Sequence, residues 1–131
     1  MILTGWNSKF EHMNHTNRAI ALAWFEAFNA HKLEDLLHLY HDDAEHYSPK
    51  LKLRHPETKG LIKGKEALRT WWRDAFDRLP SLRYEVMSLT ANDARVFMEY
   101  RRHVEGEEGL LVAEVLEIRD KKIIASRVYH G

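Results

Sequence analysis

The chain has 131 residues, with 20 lysines and arginines balancing 20 aspartates and glutamates, and no cysteine. That length suits one domain with a real hydrophobic core. A net charge of zero argues against a nucleic-acid binder, and the lack of cysteine excludes disulfides and thiolate chemistry. Residues 1–6 carry no basic leader or apolar run, and no segment approaches the roughly 18 apolar residues of a membrane span. A cytoplasmic domain with no membrane attachment is expected, and the sequon Asn14-His15-Thr16 is accidental in that setting.

Residues 1–15 read as an N-terminal extension, loose or helical, with Trp6 and Phe10 as anchors, and the domain proper spans 16–131. From Asn14 or Thr16, either a competent N-cap, a helix is predicted. Ile20, Ala23, Trp24, Ala27 and Phe28 fall on one face of it, widened by Leu22 and Phe25. A second helix carries Leu33, Leu36, Leu37 and Tyr40 and ends on Asp42-Asp43. Residues 44–48 read as a short strand, stopped by Pro49, which cannot donate to a ladder. The stretch 50–63 lacks a period, contains Pro56 and Gly60, and reads as a loop crossing one rim. Gly64 precedes a third helix with Leu68, Trp71, Trp72, Ala75, Phe76 and Leu79, ended by Pro80. Four β-rich runs follow, at 84–89, 96–101, 110–118 and 123–129. Turns at Asn92-Asp93, Gly106-Glu107 and 120–122 separate them. Helices first and a meander afterwards give an α+β fold, with three helices packed on one face of a mainly antiparallel sheet.

The turns set a register. A two-residue loop at Gly106-Glu107 places Arg101 opposite Val112, Glu99 opposite Glu114 and Phe97 opposite Leu116. A three-residue loop at 120–122 places Glu114 opposite Val128 and Val112 opposite His130. One face then carries Phe97, Glu99, Arg101, Val112, Glu114, Leu116, Ser126, Val128 and His130. Apolar walls with two carboxylates, a guanidinium and an imidazole have the composition of a ligand pocket. The other face carries Val96, Met98, Tyr100, Leu111, Ala113, Val115, Ala125, Arg127 and Tyr129. It is too apolar to be wholly solvated, and a homodimer through this outer sheet face is expected to cover it.

Four segments carry a resemblance: Trp24-Phe25-Glu26-Ala27-Phe28-Asn29-Ala30, Leu39-Tyr40-His41-Asp42-Asp43-Ala44, Gly60-Leu61-Ile62-Lys63-Gly64-Lys65-Glu66-Ala67-Leu68, and Glu114-Val115-Leu116-Glu117-Ile118-Arg119-Asp120. In order and spacing the chain resembles the nuclear transport factor 2-like superfamily, and within it the SnoaL-like and ketosteroid isomerase-like branch. The resemblance implies a cone-shaped, cystatin-like α+β barrel: helices against a strongly bent sheet, a pocket at the wide end, and dimers. In ketosteroid isomerases a helix tyrosine and a protonated aspartic acid hold the oxyanion while a second aspartate moves the proton. By motif, the tyrosine position falls on Trp24, the base position on Ser48 and the oxyanion acid position on Glu114. Only the last keeps a carboxyl, so a steroid isomerase of that mechanism is not expected.

Each candidate residue has a bland alternative. Glu114 sits between apolar neighbours, where burial raises a carboxyl pKa and lets it donate a proton; the alternative is a salt bridge to Arg101. His46 shares a strand face with Ser48 and suits acid–base work near neutrality, although it is one of nine histidines. His38, His41, His46 and His55, with Asp42 and Asp43, do not converge at ligand spacing, so no metal is expected. Trp24 and Trp72 either shape the pocket or simply pack the core. Arg54, His55, Glu57 and Lys59 populate the rim, where charge is usually only solvated. No Walker loop, dinucleotide fingerprint or nucleophile elbow occurs.

The reading is a cofactor-independent isomerase, cyclase or dehydratase acting on a small, largely apolar carbonyl or hydroxyl compound. Glu114 is its acid or oxyanion partner and His46 its base. Trp24, Ser48, Trp72, Glu99, Arg101, Val112, Val128 and His130 contact the substrate. The alternative is a non-catalytic dimeric ligand-binding module of the same fold.

Overall fold

A computed structural model describes the backbone of residues 5–130 and the side chains of residues 16–130. Helices α1 (Gly5–Asn29) and α2 (Leu33–His38) precede strand β1 (Tyr40–Tyr47). Helix α3 (Pro49–Arg54), a 3-10 turn (Pro56–Thr58) and the short strand β2 (Leu61–Lys63) follow. Helix α4 (Lys65–Arg78) then leads into β3 (Arg83–Ala91), β4 (Arg95–His103), β5 (Leu110–Arg119) and β6 (Lys122–Tyr129). The six strands form one sheet in the order β2-β1-β6-β5-β4-β3. Only β1 and β6 pair in parallel; every other neighbour is antiparallel.

Helix α1 starts at Gly5, ahead of the predicted caps, and the anchoring role given to Trp6 and Phe10 lies outside the described side chains. Ala21, Trp24, Phe25, Ala27 and Phe28 are buried, as the period requires, but Leu22 is exposed and does not widen the stripe. Helix α2 ends at His38, where the N–H of Leu39 caps the carbonyls of Leu36 and Leu37. Tyr40 therefore opens β1 instead of closing a helix. From the strand its buried hydroxyl reaches Trp24 and Ser126, which satisfies a group that is costly to bury alone.

The stretch 50–63 is mostly regular structure. Ser48 is an N-cap whose Oγ accepts from the N–H of Lys50 at 3.2 Å, and Pro49 stands at the first turn, where its missing donor costs nothing. The serine–proline pair is a helix start, a signal that the reading of Pro49 as a strand terminator passes over.

Trp24, Phe28, Leu36, Leu68, Trp72 and Phe76 from the helices join Val96, Met98, Tyr100, Val112 and Leu116 from the sheet in one core. This corrects the β4 register. Strand β4 pairs Met98 with Glu114, Tyr100 with Val112 and Val96 with Leu116, one residue away from the predicted pairing. The connection is the six residues 104–109, not a two-residue loop, and a one-residue slip turns every β4 side chain to the other face. Between β5 and β6 the predicted pairing of Glu114 with Val128 is present. It arises differently: Asp120 and Lys121, with φ of 51° and 65°, form a two-residue turn, and a register shift at Glu117/Ile118 supplies the extra residue.

Candidate functional site

Between the helices and the inner sheet face lies a cavity of about 260 Å³. An apolar cavity of about 150 Å³ already holds benzene, so this one accommodates a small cyclic compound. Stacked aromatics from α1, β3 and β4 line part of it. Phe28 lies 4.0 Å from Tyr84, and Tyr84 lies 4.1 Å from Tyr100, centroid to centroid, with the rings nearly parallel. Trp71, Trp72, Leu79, Leu82, Val112 and Val128 add apolar wall. His46, Ser48, Glu114 and His130 supply polar groups, while Lys50, Leu53, Arg54, Arg78, Arg102 and Glu107 surround the opening.

Glu114 enters from the middle of β5, where alternation sends it inward between Val112 and Leu116. It is 1 % exposed. Tyr100 donates its O–H to Glu114 Oε1 at 2.6 Å, whereas Oε2 is buried with no hydrogen-bond partner. Burial disfavours the anion and pushes the carboxyl up to about 7, against the stabilising Tyr100 bond. The carboxyl beside it in turn drives the Tyr100 phenol well above its ordinary range, after burial itself. The result is a carboxyl poised between acid and base at neutral pH, with one oxygen still to be engaged.

His46 comes from β1, paired with Ser126 of β6, and ends a buried relay. Trp24 Nε1 lies 3.0 Å from Tyr40 Oη, Tyr40 Oη lies 3.0 Å from Ser126 Oγ, and Ser126 Oγ lies 2.6 Å from His46 Nδ1. An indole N–H can only donate, so Tyr40 accepts from Trp24 and in turn donates its O–H to Ser126 Oγ. A serine hydroxyl has two lone pairs and one proton, so Ser126 donates to His46 Nδ1 or accepts from it according to the tautomer of the ring. The other ring nitrogen, Nε2, has no protein partner among the described residues. Burial lowers the His46 pKa to about 4, so the ring is neutral near pH 7. Its Nε2 is a donor in one tautomer and an acceptor in the other.

Trp24, His46, Ser48, Trp72, Val112, Glu114, Val128 and His130 all line the cavity. Ser48 Oγ is also occupied as the α3 cap. Glu99 and Arg101 do not belong to it. The register correction puts both on the outer sheet face, where Glu99 Oε1 accepts from Ser88 Oγ at 2.7 Å and Arg101 packs against Gly109. The predicted salt bridge between Glu114 and Arg101 is likewise ruled out by geometry. The residues that escaped the sequence reading include Tyr84 and Tyr100 in the aromatic stack, and Lys50 and Arg102 at the opening. Val96, Met98 and Tyr100 form the more apolar half of their strand, and that contrast with Phe97, Glu99 and Arg101 is the signal that identifies Tyr100. Among the described residues no histidine and carboxylate cluster converges for a metal ion, and no helix is long and apolar enough to cross a membrane.

Helices on a bent, open sheet around a lined cavity define a cone-like α+β pocket protein. A profile of the SnoaL-like domain matches residues 21–126, and the chain belongs to the SnoaL-like family. It is similar to a SnoaL-like protein of unknown function from Burkholderia thailandensis, with 27% identity, a TM-score of 0.80, and coverage of 89% of this chain and 95% of that one. A Kribbella flavida protein provisionally called a ketosteroid isomerase shares the fold at 18% identity and a TM-score of 0.75, covering 90% of this chain and 79% of that one. A third, from Catenulispora acidiphila, has a ketosteroid isomerase-like fold and was solved in complex with trimethylamine. It matches at 18% identity and a TM-score of 0.68 over 86% of this chain and 85% of that one. No curated protein sequence matches at a significant level.

Proposed function

We propose that the protein is a cofactor-independent enzyme that moves a proton on a small carbonyl or hydroxyl compound held in this cavity. The observation that carries the reading is Glu114, a fully buried carboxyl whose pKa stands at about 7 with Oε2 unpartnered. A proton-transfer group works best with a pKa near the working pH. His46 and Glu114 stand two strands apart on the inner face, roughly 10 Å between backbones, so a ligand fits between them.

In this mechanism Glu114, as carboxylate, takes the proton from the carbon beside the ligand carbonyl. The electron pair moves onto the carbonyl oxygen, which accepts a hydrogen bond from neutral His46 in the tautomer that carries its proton on Nε2, the one in which Ser126 donates to Nδ1. Glu114 then returns the same proton to another carbon, or to a departing hydroxyl, giving an isomerase or a dehydratase. Trp24, Phe28, Tyr84 and Trp72 exclude water and orient a cyclic body. The outer sheet face carries a homodimer.

A thermal-shift screen of small carbonyl and hydroxyl compounds, followed by turnover assays, tests this. Glu114→Gln is expected to keep ligand binding within a few-fold and to lose turnover by about 10²–10⁴, the usual worth of a positioned acid or base. Equal binding with no turnover in wild type, Glu114→Gln or His46→Ala would move the protein to a second reading, a non-catalytic ligand-binding module. That alternative draws support from the protein of ketosteroid isomerase-like fold that was solved in complex with trimethylamine.

A further inference from the structure

The cavity carries a charge arrangement that proton transfer does not use. Lys50, Arg54, Arg78 and Arg102 all line its opening, and besides buried Glu114 the one acidic residue among those that line the cavity is Glu107. The whole chain is electrically neutral, so the cationic surplus is local. Arg54 and Arg78 lean on one carboxylate, with Asp74 Oδ2 at 3.6 Å and 2.8 Å respectively.

The other two cations are less well compensated. Arg102 points inward from β4 and is only 8 % exposed. Its single side-chain partner among the described residues is Glu107, at 2.9 Å from one terminal nitrogen. A guanidinium has five donors in a planar fork, so most of this buried fork remains for something else. Lys50 is partly buried near it and forms no ion pair among the described residues. Burial first, and the positive Arg102 second, lower its pKa. Two cations converging on a half-enclosed opening repel each other and lose hydration, a cost that a bound anion offsets.

We propose that the ligand is an organic acid, whose carboxylate is held at the opening by Lys50 and the free part of the Arg102 fork while its apolar body fills the aromatic cavity. This rests on the cavity being the ligand site and sharpens the substrate class from a small carbonyl or hydroxyl compound to a keto or hydroxy acid. Arg binds carboxylates through two parallel hydrogen bonds, so Arg102 fixes orientation and Lys50 adds charge. The carboxylate end then sets which carbon reaches Glu114 and which oxygen reaches His46.

The test uses an isosteric pair, 3-phenylpropanoate and 3-phenylpropanamide, titrated calorimetrically near pH 6, where Glu114 keeps its proton. Indole N–H resonances of Trp24, Trp71 and Trp72 report whether the cavity is occupied. The acid is expected to bind wild type at least about tenfold more tightly than the amide. Lys50→Met, a substitution at the partly exposed opening, and Arg102→Gln should each cut that preference to about threefold or less without weakening the amide. Equal binding of acid and amide, with the indole resonances shifted by both, would overturn the organic-acid proposal and leave the pocket reading standing. Binding of neither, or binding that leaves the indole resonances unmoved, would overturn both. An acid preference that survives in both folded variants would also overturn the proposal.

Discussion

Glu114 and His46 are both buried titratable groups, and burial moves them in opposite directions. Glu114 has a folded pKa of about 7 against a reference of 4.5. Between those values the folded state holds a proton that the unfolded chain has released, so this residue lowers stability as pH rises from about 4.5 to 7, with no further loss above. His46 has a folded pKa of about 4 against 6.5. Between those values the unfolded chain binds a proton that the folded state refuses, so this residue raises stability as pH climbs from about 4 to 6.5. Each swing is on the order of 3 kcal/mol by linkage, and in the overlapping window the two largely cancel. Urea midpoints of the wild type are therefore expected to change little between pH 4.5 and 6.5. Glu114→Gln unmasks the histidine and should gain stability through that range, whereas His46→Gln unmasks the carboxyl and should lose it. Parallel profiles for all three proteins would show that neither group is desolvated as the structure has it.

At the scale of elements, the hairpins show what a sequence specifies and what it does not. Helix α1 and helix α4 are readable because their apolar residues recur at helical spacing and face one core. Glu114 is readable as an inward carboxyl because the pairing of β5 with β6 survives an error in the turn: the shift at Glu117/Ile118 compensates for a turn one residue shorter than predicted. No such compensation acts between β4 and β5, where counting from Gly106-Glu107 displaces Glu99, Arg101 and Tyr100 together. The alternation of Val96, Met98 and Tyr100 against Phe97, Glu99 and Arg101 contains the correct face, and burial decides it. Lys50 and Arg102 were beyond reach, since only tertiary folding brings α3 to the end of β4. The β5–β6 turn is also testable. Asp120 and Lys121 both have positive φ, the signature of a type I′ turn whose second position favours glycine. Relieving left-handed strain at a non-glycine residue is worth about 1 kcal/mol, so Lys121→Gly should raise the melting temperature by roughly 3 °C and leave ligand binding unchanged. A lower melting temperature would contradict a type I′ turn at this position.

At the scale of the whole molecule, the buried faces of α1, α2 and α4 among the described residues join the inner side of the sheet, and none of these residues covers its outer side. The register places Phe97 beside Val115 and Ala113 beside Tyr129. Phe97, Leu111 and Tyr129 are each about half exposed, at 51%, 53% and 48%, around nearly buried Val115. Arg95 and Arg127 both pair with Glu117 at 3.3 Å, forming a charged edge to this apolar band. An apolar centre with a polar rim is the anatomy of an interface, and a two-fold axis sets the same patch of one copy against that of the other. The correction to β4 changes the residues involved, since Phe97 replaces Val96, Met98 and Tyr100, but it leaves the β5 and β6 contributions in place. Sedimentation at micromolar concentration is expected to give a dimer. Leu111→Glu, which puts a charge in the exposed part of the band without touching the cavity, should give a monomer with unchanged helix and strand content. Because β5 presents Glu114 on one side and Ala113 and Val115 on the other, the dimer would also brace the strand that carries Glu114. Turnover measured across the dimer–monomer transition should fall with the dimer fraction. A wild-type monomer at these concentrations would remove the interface, and the site would then have to be complete in a single chain.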